Sequence, residues 1–425
     1  MKKGILFLMT AVLASAFVTD LQAQGDPSTL DKVRQARYVA TTPKCEPLGL
    51  LHYSDLHGDD FAAGRLLESI SDYGAYIDAV VCTGDVVHYF AEATKDYAND
   101  YKWWRKTGLA EKSLFVLGNH DGAVGSDARG RLEGSSDWDF KGKAWEFDTY
   151  FGDYSDILGF KLPDGFDDPS SPYYKSCFWY KDFEAARIRI IGIDNIHYND
   201  SFHYLTGEQE EWLAARLAET LSPGNPAEGY SVIILSHYPI DDFEGDNETW
   251  DESSHKFLYN SSPRGGRVMD GRTGSVVNFH TYSRESLTMD KRFALRKKFP
   301  LESAKYGYEK GDVNPFAEII RTWMNDGGKF IAWLCGHCHS DLMFYPEKYP
   351  DILCIAVDQA GNLRGTSLAD RPEGADSRFC ANYYGIDTQH GLFKVVRLGG
   401  LKRDRFLVAK DVLCYDYVNR KVIFE

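Results

Sequence analysis

Five clusters of polar residues carry the side chains best suited to chemistry. They are Asp55-x-His57, Gly84-Asp85, Gly118-Asn119-His120-Asp121, His237 and Gly336-His337-x-His339. Each alone is a weak signal, since a strand-end histidine is more often a satisfied core residue than a ligand. Together they bring three carboxylates, one amide and five imidazoles. Oxygen and imidazole donors with no evident thiolate suit borderline divalent ions such as Mn, Zn or Fe. Asp55, His57, Asp85, Asn119, His237, His337 and His339 make seven donors, too many for one tetrahedral ion. Two ions sharing a carboxylate would use the set and leave positions for water and substrate. Two ions about 3.5–4 Å apart lower the pKa of a bridging water, which then attacks as hydroxide, and both stabilise phosphate oxygens in the transition state. A neighbouring histidine can protonate the leaving alkoxide. The chemistry this points to is hydrolysis of a phosphate ester.

The elements that must position these clusters follow from the apolar pattern. Runs at Leu48–Tyr53, Ile77–Cys82, Leu114–Leu117, Ser231–Leu235 and Phe330–Leu334 read as buried strands, each ending at one of the clusters. Arg187–Ile193 reads as a further strand. Helical patterns cover 60–73, with Phe61, Leu66, Leu67 and Ile70 on one face, then about 91–107, about 207–220 and about 314–325. Alternating strands and helices predict an α/β core, and in such sheets ligands gather past the carboxyl ends of strands. The tail from about 382 alternates like hairpin strands, at 391–396, 405–408 and 422–424. That late run predicts a second sheet or a sandwich.

The ordered set D-x-H, G-D, G-N-H-D, H, G-H-x-H resembles the calcineurin-like metallophosphoesterases over about residues 48–340. The resemblance implies a two-sheet α/β/β/α sandwich carrying two divalent metal ions at its strand ends. It also implies roles. Asp55, His57 and His339 would bind the first metal, Asn119, His237 and His337 the second, and Asp85 would bridge. His120 would contact the phosphate or protonate the leaving group, with Asp121 as its hydrogen-bond partner. Leu205-Thr206-Gly207-Glu208-Gln209, with Trp212 and Leu213, looks like a helix start common in the family and is assigned to packing. The purple acid phosphatase branch has a tyrosine three residues after the bridging aspartate. Here that position is His88, with Tyr89 next, which argues against a purple Fe(III) centre. His88 is a surface residue or a substrate contact.

The 425 residues are 43% hydrophobic and 26% charged, with mean hydropathy −0.39, the composition of an ordinary folded protein. Net charge is −15, which excludes the basic footprint of a nucleic-acid binder and disfavours generic binding to anionic membranes. No internal stretch has the roughly 18 consecutive apolar residues of a transmembrane helix. Residues 1–24 have the layout of a secretory signal peptide: Lys2 and Lys3, an apolar run over 4–18, and Ala23 at a plausible cut site. The expected organisation is therefore a signal peptide over 1–24, a lead-in over 25–47 and one metallophosphoesterase domain over 48–425, exported to the periplasm or secreted. Eight cysteines (45, 82, 177, 335, 338, 354, 380, 414) survive cleavage. Several lie in strand-like runs, where a buried free thiol is expected, and no pairing is assigned. No heptad pattern is present, and a monomer is expected.

Two excursions interrupt the pattern. Residues 122–180 hold clustered aromatics, from Trp138 to Trp179, expected to form a satellite core under a long loop rather than a platform for a sugar or base. Residues 240–312 are charge-split. Seven acids and no base lie within 241–252, and eleven Lys or Arg against five acids lie within 264–310. That basic block is either a solvated insertion or a cap for an anionic phosphoester substrate, with Arg264, Arg267 and Arg272 as contacts. Monoester and diester substrates are both open. Two readings of other classes are a non-catalytic binding protein on the same fold and a thiol–disulfide oxidoreductase using Cys335 and Cys338. The latter needs its first cysteine at a helix N-terminus, and Ser340–Tyr345 with Pro346 signals no helix.

Overall fold

The computed structural model describes residues 46–86, 112–118, 121, 146–151, 159–195, 206–240, 314–337, 342–345, 349–361, 379–399 and 412–423. It also describes short stretches within 29–36, 248–251, 256–259, 267–269 and 276–278. Asn119, His120, His339, Cys338, His88, Arg264, Arg272 and residues 1–24 lie outside the described residues.

Two mixed sheets carry the α/β fold. The first orders β17 (Lys421–Ile423), β16 (Val412–Asp416), β15 (Leu392–Gly399), β14 (Cys380–Asp387), β1 (Leu48–Tyr53), β2 (Ala79–Cys82) and β3 (Ser113–Phe115). Strands β1, β2 and β3 are parallel, while β14 joins β1 antiparallel, with His52 opposite Asn382. The second orders β10 (Val276–Asn278), β9 (Arg267–Met269), β12 (Leu342–Tyr345), β13 (Cys354–Ala356), β11 (Lys329–Cys335), β6 (Ser231–Leu235), β5 (Ile188–Gly192) and β4 (Trp179–Phe183). Its central strands β13, β11, β6 and β5 run parallel, and β7 (Glu248–Asp251) pairs antiparallel with β8 (Lys256–Tyr259) in a separate two-stranded sheet. Parallel strands put their carboxyl ends on one edge, so the clusters after β1 and β2 gather on one sheet and those after β6 and β11 on the other.

The continuous core draws on both sheets, from Leu50, Val80 and Leu114 to Ile190, Ile233, Leu235 and Leu334. Trp179 donates its Nε1–H to the Phe115 carbonyl at 2.8 Å, linking β4 to β3. Helix α1 (Asp60–Tyr73) starts where the Asp59 carboxylate caps the Ala62 N–H, and it buries Ala62, Leu66 and Ile70 at helical spacing. Helices α2 (Thr206–Glu219) and α3 (Pro315–Asn325) cover the other face of the second sheet, burying Trp212, Leu213, Phe316 and Ile320 against Ile191, Ile234 and Trp333. Asn314 caps α3 through the Ala317 N–H, and Pro315 sits where a missing N–H costs nothing.

Three expectations need correction. The first excursion ends before 180: Lys161 pairs with Tyr180 and β4 is a full member of the second sheet. Among its described aromatics, Phe147, Tyr150, Phe151, Phe160 and Trp179 belong to the main core and Phe178 to the cluster under α2 and α3, not to a satellite core of their own. The second excursion contributes β9, which pairs with β12, so part of it extends the sheet. The tail strand expected at 405–408 lies outside the described residues.

Arg189, 2% exposed, pins this edge of the fold. It donates through Nε and Nη2 to Asp182 at 2.7 and 2.8 Å and through Nη1 to Glu219 at 2.5 Å, and it stacks on Tyr180. Arg189→Met would strand two carboxylates beside an apolar side chain. The expected loss is on the order of 3 kcal/mol, read as a lower urea midpoint, and an unchanged midpoint would refute the pinning role.

Candidate metal centre

Asp55, His57, Asp85 and His337 all take positive φ, at 53°, 50°, 55° and 65°. For residues other than glycine this backbone region is costly and is held only where the surroundings over-determine it. Here the surroundings are interlocked loops. Asp55 N–H donates to the Gly84 carbonyl, His57 N–H to the Asp85 carbonyl and Gly58 N–H to the Val86 carbonyl, tying the exits of β1 and β2 together. His337 N–H donates to Asp55 Oδ2 at 2.9 Å, joining the exit of β11 to that of β1 across the two sheets. A Cβ on Gly118 would stand 2.1 Å from Asp85 Oδ1, and one on Gly336 1.8 Å from Ser54 Oγ. The glycines of those two motifs are therefore set by close approach of neighbouring clusters.

Two overlapping donor groups result. Asp55, His57 and Asp85 form one, and Asp85, His237 and His337 the other, with ligand atoms within 4.8 Å of one another in each. Asp85 is common to both. His57 Nε2 lies 3.6 Å from Asp55 Oδ1 and 3.9 Å from Asp85 Oδ2. His237 Nε2 lies 3.4 Å from Asp85 Oδ2 and 3.1 Å from His337 Nδ1. Donors around an ion with bonds of about 2.0–2.2 Å stand roughly 3–3.5 Å apart, so the buried oxygen–imidazole set fits a divalent cation in donor type and spacing. His337 is further oriented by the edge of Tyr238, with ring centroids 4.5 Å apart. Burial lowers the His237 pKa, but the adjacent Asp85 carboxylate, Asp55 behind it and the Thr83 carbonyl on Nδ1 raise it to about 9. The same negative field attracts a cation.

Asp121 supports the site through the backbone, while His120, the partner expected for it, lies outside the described residues. Its carboxylate accepts from three backbone amides, Gly118 at 2.7 Å, Asp85 at 3.0 Å and Val86 at 3.0 Å. It clamps the exits of β2 and β3 and holds Asp85. Arg267 lies in β9, opposite Tyr345 and Asn278. Cys335 lies inside β11, fully buried, with no helix following among the described residues, and the six described cysteines are all buried. That environment gives Cys335 none of the activation a redox thiol needs.

Sequence reasoning missed several supports. Ala360 and Gly361 donate their N–H groups to the Ser54 and Asp55 carbonyls at 2.7 and 3.2 Å. Their signal was available, because Asp358-Gln359-Ala360-Gly361 is another polar cluster after an apolar run. Asn195 exchanges hydrogen bonds with the Tyr238 backbone and fixes the loop after β6. His52 is also new. It is fully buried between the Tyr384 hydroxyl at 3.1 Å and Thr83 Oγ1 at 2.9 Å. Burial, with help from Arg397 and against Asp55, lowers its pKa to about 3. An unfolded histidine binds a proton near pH 6.5; the folded one does so only near 3. Its contribution to stability is thus complete above pH 6.5 and falls by roughly 1.4 kcal/mol per unit as pH drops toward 3. Urea titrations between pH 6.5 and 4.5 should show this slope diminished in His52→Gln. Equal slopes would refute the assignment.

A family model described as calcineurin-like phosphoesterase matches residues 48–266. No curated protein sequence matches the chain. Among solved structures, a dimetal phosphatase from Danio rerio is 10% identical, with 84% of this chain and 98% of that chain covered and a TM-score of 0.44. A purple acid phosphatase from seeds of yellow lupin (Lupinus luteus) is 12% identical, with 88% of this chain and 54% of that chain covered and a TM-score of 0.41.

Proposed function

The chain belongs to the calcineurin-like phosphoesterase family, and from that premise we infer that it is an exported, monomeric hydrolase of phosphate esters working with two divalent cations. The observation that carries this reading is one buried carboxylate, Asp85, shared by two donor groups. Asp55 and His57, with His339, would hold one cation. His237 and His337, with Asn119, would hold the other. When bound, such a pair supplies Lewis acidity and an activated water.

The chain's own residues do the rest. Asp55 and Asp85 set the negative field that retains the cations, and the clamp by Asp121 keeps the Asp85 carboxylate aimed. His120 gives its proton to the leaving alkoxide. The basic block containing Arg264, Arg267 and Arg272, together with His88, meets the anionic substrate. Export is supported by the sequence of residues 1–24. No helix among the described residues is long and apolar enough to cross a membrane.

The test is hydrolysis of p-nitrophenyl phosphate beside bis-p-nitrophenyl phosphate by the purified chain, stripped and reloaded with Mn, Zn or Fe. Cation-dependent turnover is expected, and the ratio of the two rates assigns monoesterase or diesterase. Two bound cations with no turnover would overturn the hydrolase reading in favour of a binding role. Absence of bound cation would overturn the metal centre.

A further inference from the structure

Behind the cation-facing atoms lies a line of buried side chains that the reaction itself leaves idle. His237 Nδ1 is 2.6 Å from the Thr83 carbonyl oxygen. A carbonyl only accepts, so Nδ1 keeps its hydrogen, and Nε2, the atom facing Asp85, is the one whose proton a cation would displace. The Thr83 hydroxyl meets His52 Nε2 at 2.9 Å, and His52 Nδ1 meets the Tyr384 hydroxyl at 3.1 Å. The Asn382 amide donates to that hydroxyl at 3.3 Å. One direction satisfies this line: Tyr384 accepts from Asn382 and donates to His52 Nδ1, and His52 Nε2–H donates to Thr83. A neutral imidazole, one donor and one acceptor, is the form this line accommodates.

The line runs across neighbouring strands of the first sheet. Asn382 and Tyr384 lie on β14, and His52 on β1 opposite Asn382. Thr83 follows β2, and the line ends on His237, the residue that leaves β6 of the second sheet. Thr83 precedes Gly84, whose φ is +97°. The peptide between them presents the carbonyl that His237 needs, and a glycine on one side leaves that peptide free to tilt. An anchored Thr83 hydroxyl removes this freedom.

We propose that His52, Thr83 and Tyr384 are positioning residues that fix the tautomer and tilt of His237, so that its Nε2 is presented to a divalent cation. The proposal rests on the metal-centre reading given above, and none of the three residues is a catalytic residue.

Thr83→Val removes only the hydroxyl and keeps the carbonyl. Tyr384→Phe removes one oxygen at the far end of the line. Thr83→Ser keeps the hydroxyl. Zn(II) affinity of the stripped full-length protein, read by competition with a chromophoric chelator, is expected to fall about 10- to 100-fold for one of its two sites in Thr83→Val and Tyr384→Phe. Thr83→Ser should bind as the wild type does. The Co(II) absorption bands should shift in the same two variants and stay in place in Thr83→Ser. Urea unfolding of the metal-free variants separates this from a merely structural role. Lower stability with unchanged Zn(II) affinity would overturn the proposal, as would failure of Thr83→Ser to restore affinity. If Thr83→Val does not fold, Tyr384→Phe decides the question alone. A wild-type chain that binds two Zn(II), with variants that match it, would overturn this proposal only. A wild-type chain that binds none would overturn the metal centre and this proposal together.

Discussion

Asp85→Asn is expected to lower kcat/KM for a phosphoester by on the order of 10^3-fold or more, about 4 kcal/mol of transition-state stabilisation. The substitution is nearly isosteric, so the loop should keep its form: Asp85 N–H still donates to Asp121, and the Asp85 carbonyl still accepts from His57. What disappears is the one charged oxygen donor common to both groups. Each group then loses an anion at once, and cation content per chain should fall with the rate. A second readout concerns His237. Burial lowers its pKa, and Asp85 is the foremost group that raises it to about 9. Histidine NMR titration of the metal-free variant should therefore place His237 well below that value. A variant that keeps two cations and a tenth of wild-type activity would remove Asp85 from the shared position.

Gly336→Ala is expected to damage both fold and site. The added Cβ would meet Ser54 Oγ at 1.8 Å, Ser54 Cβ at 2.6 Å and Asp55 Oδ2 at 2.8 Å. Ser54 is fully buried and has no room to retreat. The exits of β11 and β1 must separate, and the bond from His337 N–H to Asp55 Oδ2 is lost with them. Overpacking of this kind costs roughly 2–4 kcal/mol. The separation also carries His337 away from His237 and Asp85, so activity should fall at least about a hundredfold, since each 1.36 kcal/mol lost from the transition state is tenfold. Gly64→Ala is the control. A Cβ there meets nothing within 4 Å, and on helix α1 the change should raise stability by about 0.5–1 kcal/mol. Urea midpoints and phosphatase rates of the two variants should move apart. Equal behaviour would show that the β1–β11 contact is not tight.

Much of the fold can be read locally because the chain marks its own strand ends. Leu48–Tyr53, apolar but for His52, and Ser231–Leu235, apolar after its first serine, stop at polar residues, and the helices at 60–73 and 315–325 announce themselves by period and cap. Strands β13 and β14 were harder. The first is three residues long. The second carries Asn382, Tyr383 and Tyr384 in succession, all buried, with the Asn382 amide nitrogen bonded to the Tyr384 hydroxyl and the Tyr383 hydroxyl bonded to the Tyr76 carbonyl, so hydrophobic alternation is lost.

Which residue types stand after which apolar runs is a local property of the chain, and it defines the chemistry open to the protein: oxygen and imidazole donors, negative charge, and glycines between them. Which clusters meet depends on long-range pairing of the strands. Asp55 and His337 are 282 positions apart and His52 and Tyr384 are 332 apart, distances over which no local periodicity carries information. Positive φ at Asp55, His57, Asp85 and His337 is likewise a tertiary decision. Isolated, those residues would relax to ordinary backbone angles, and they hold the strained form because hydrogen bonds from neighbouring strand exits leave the chain no other path.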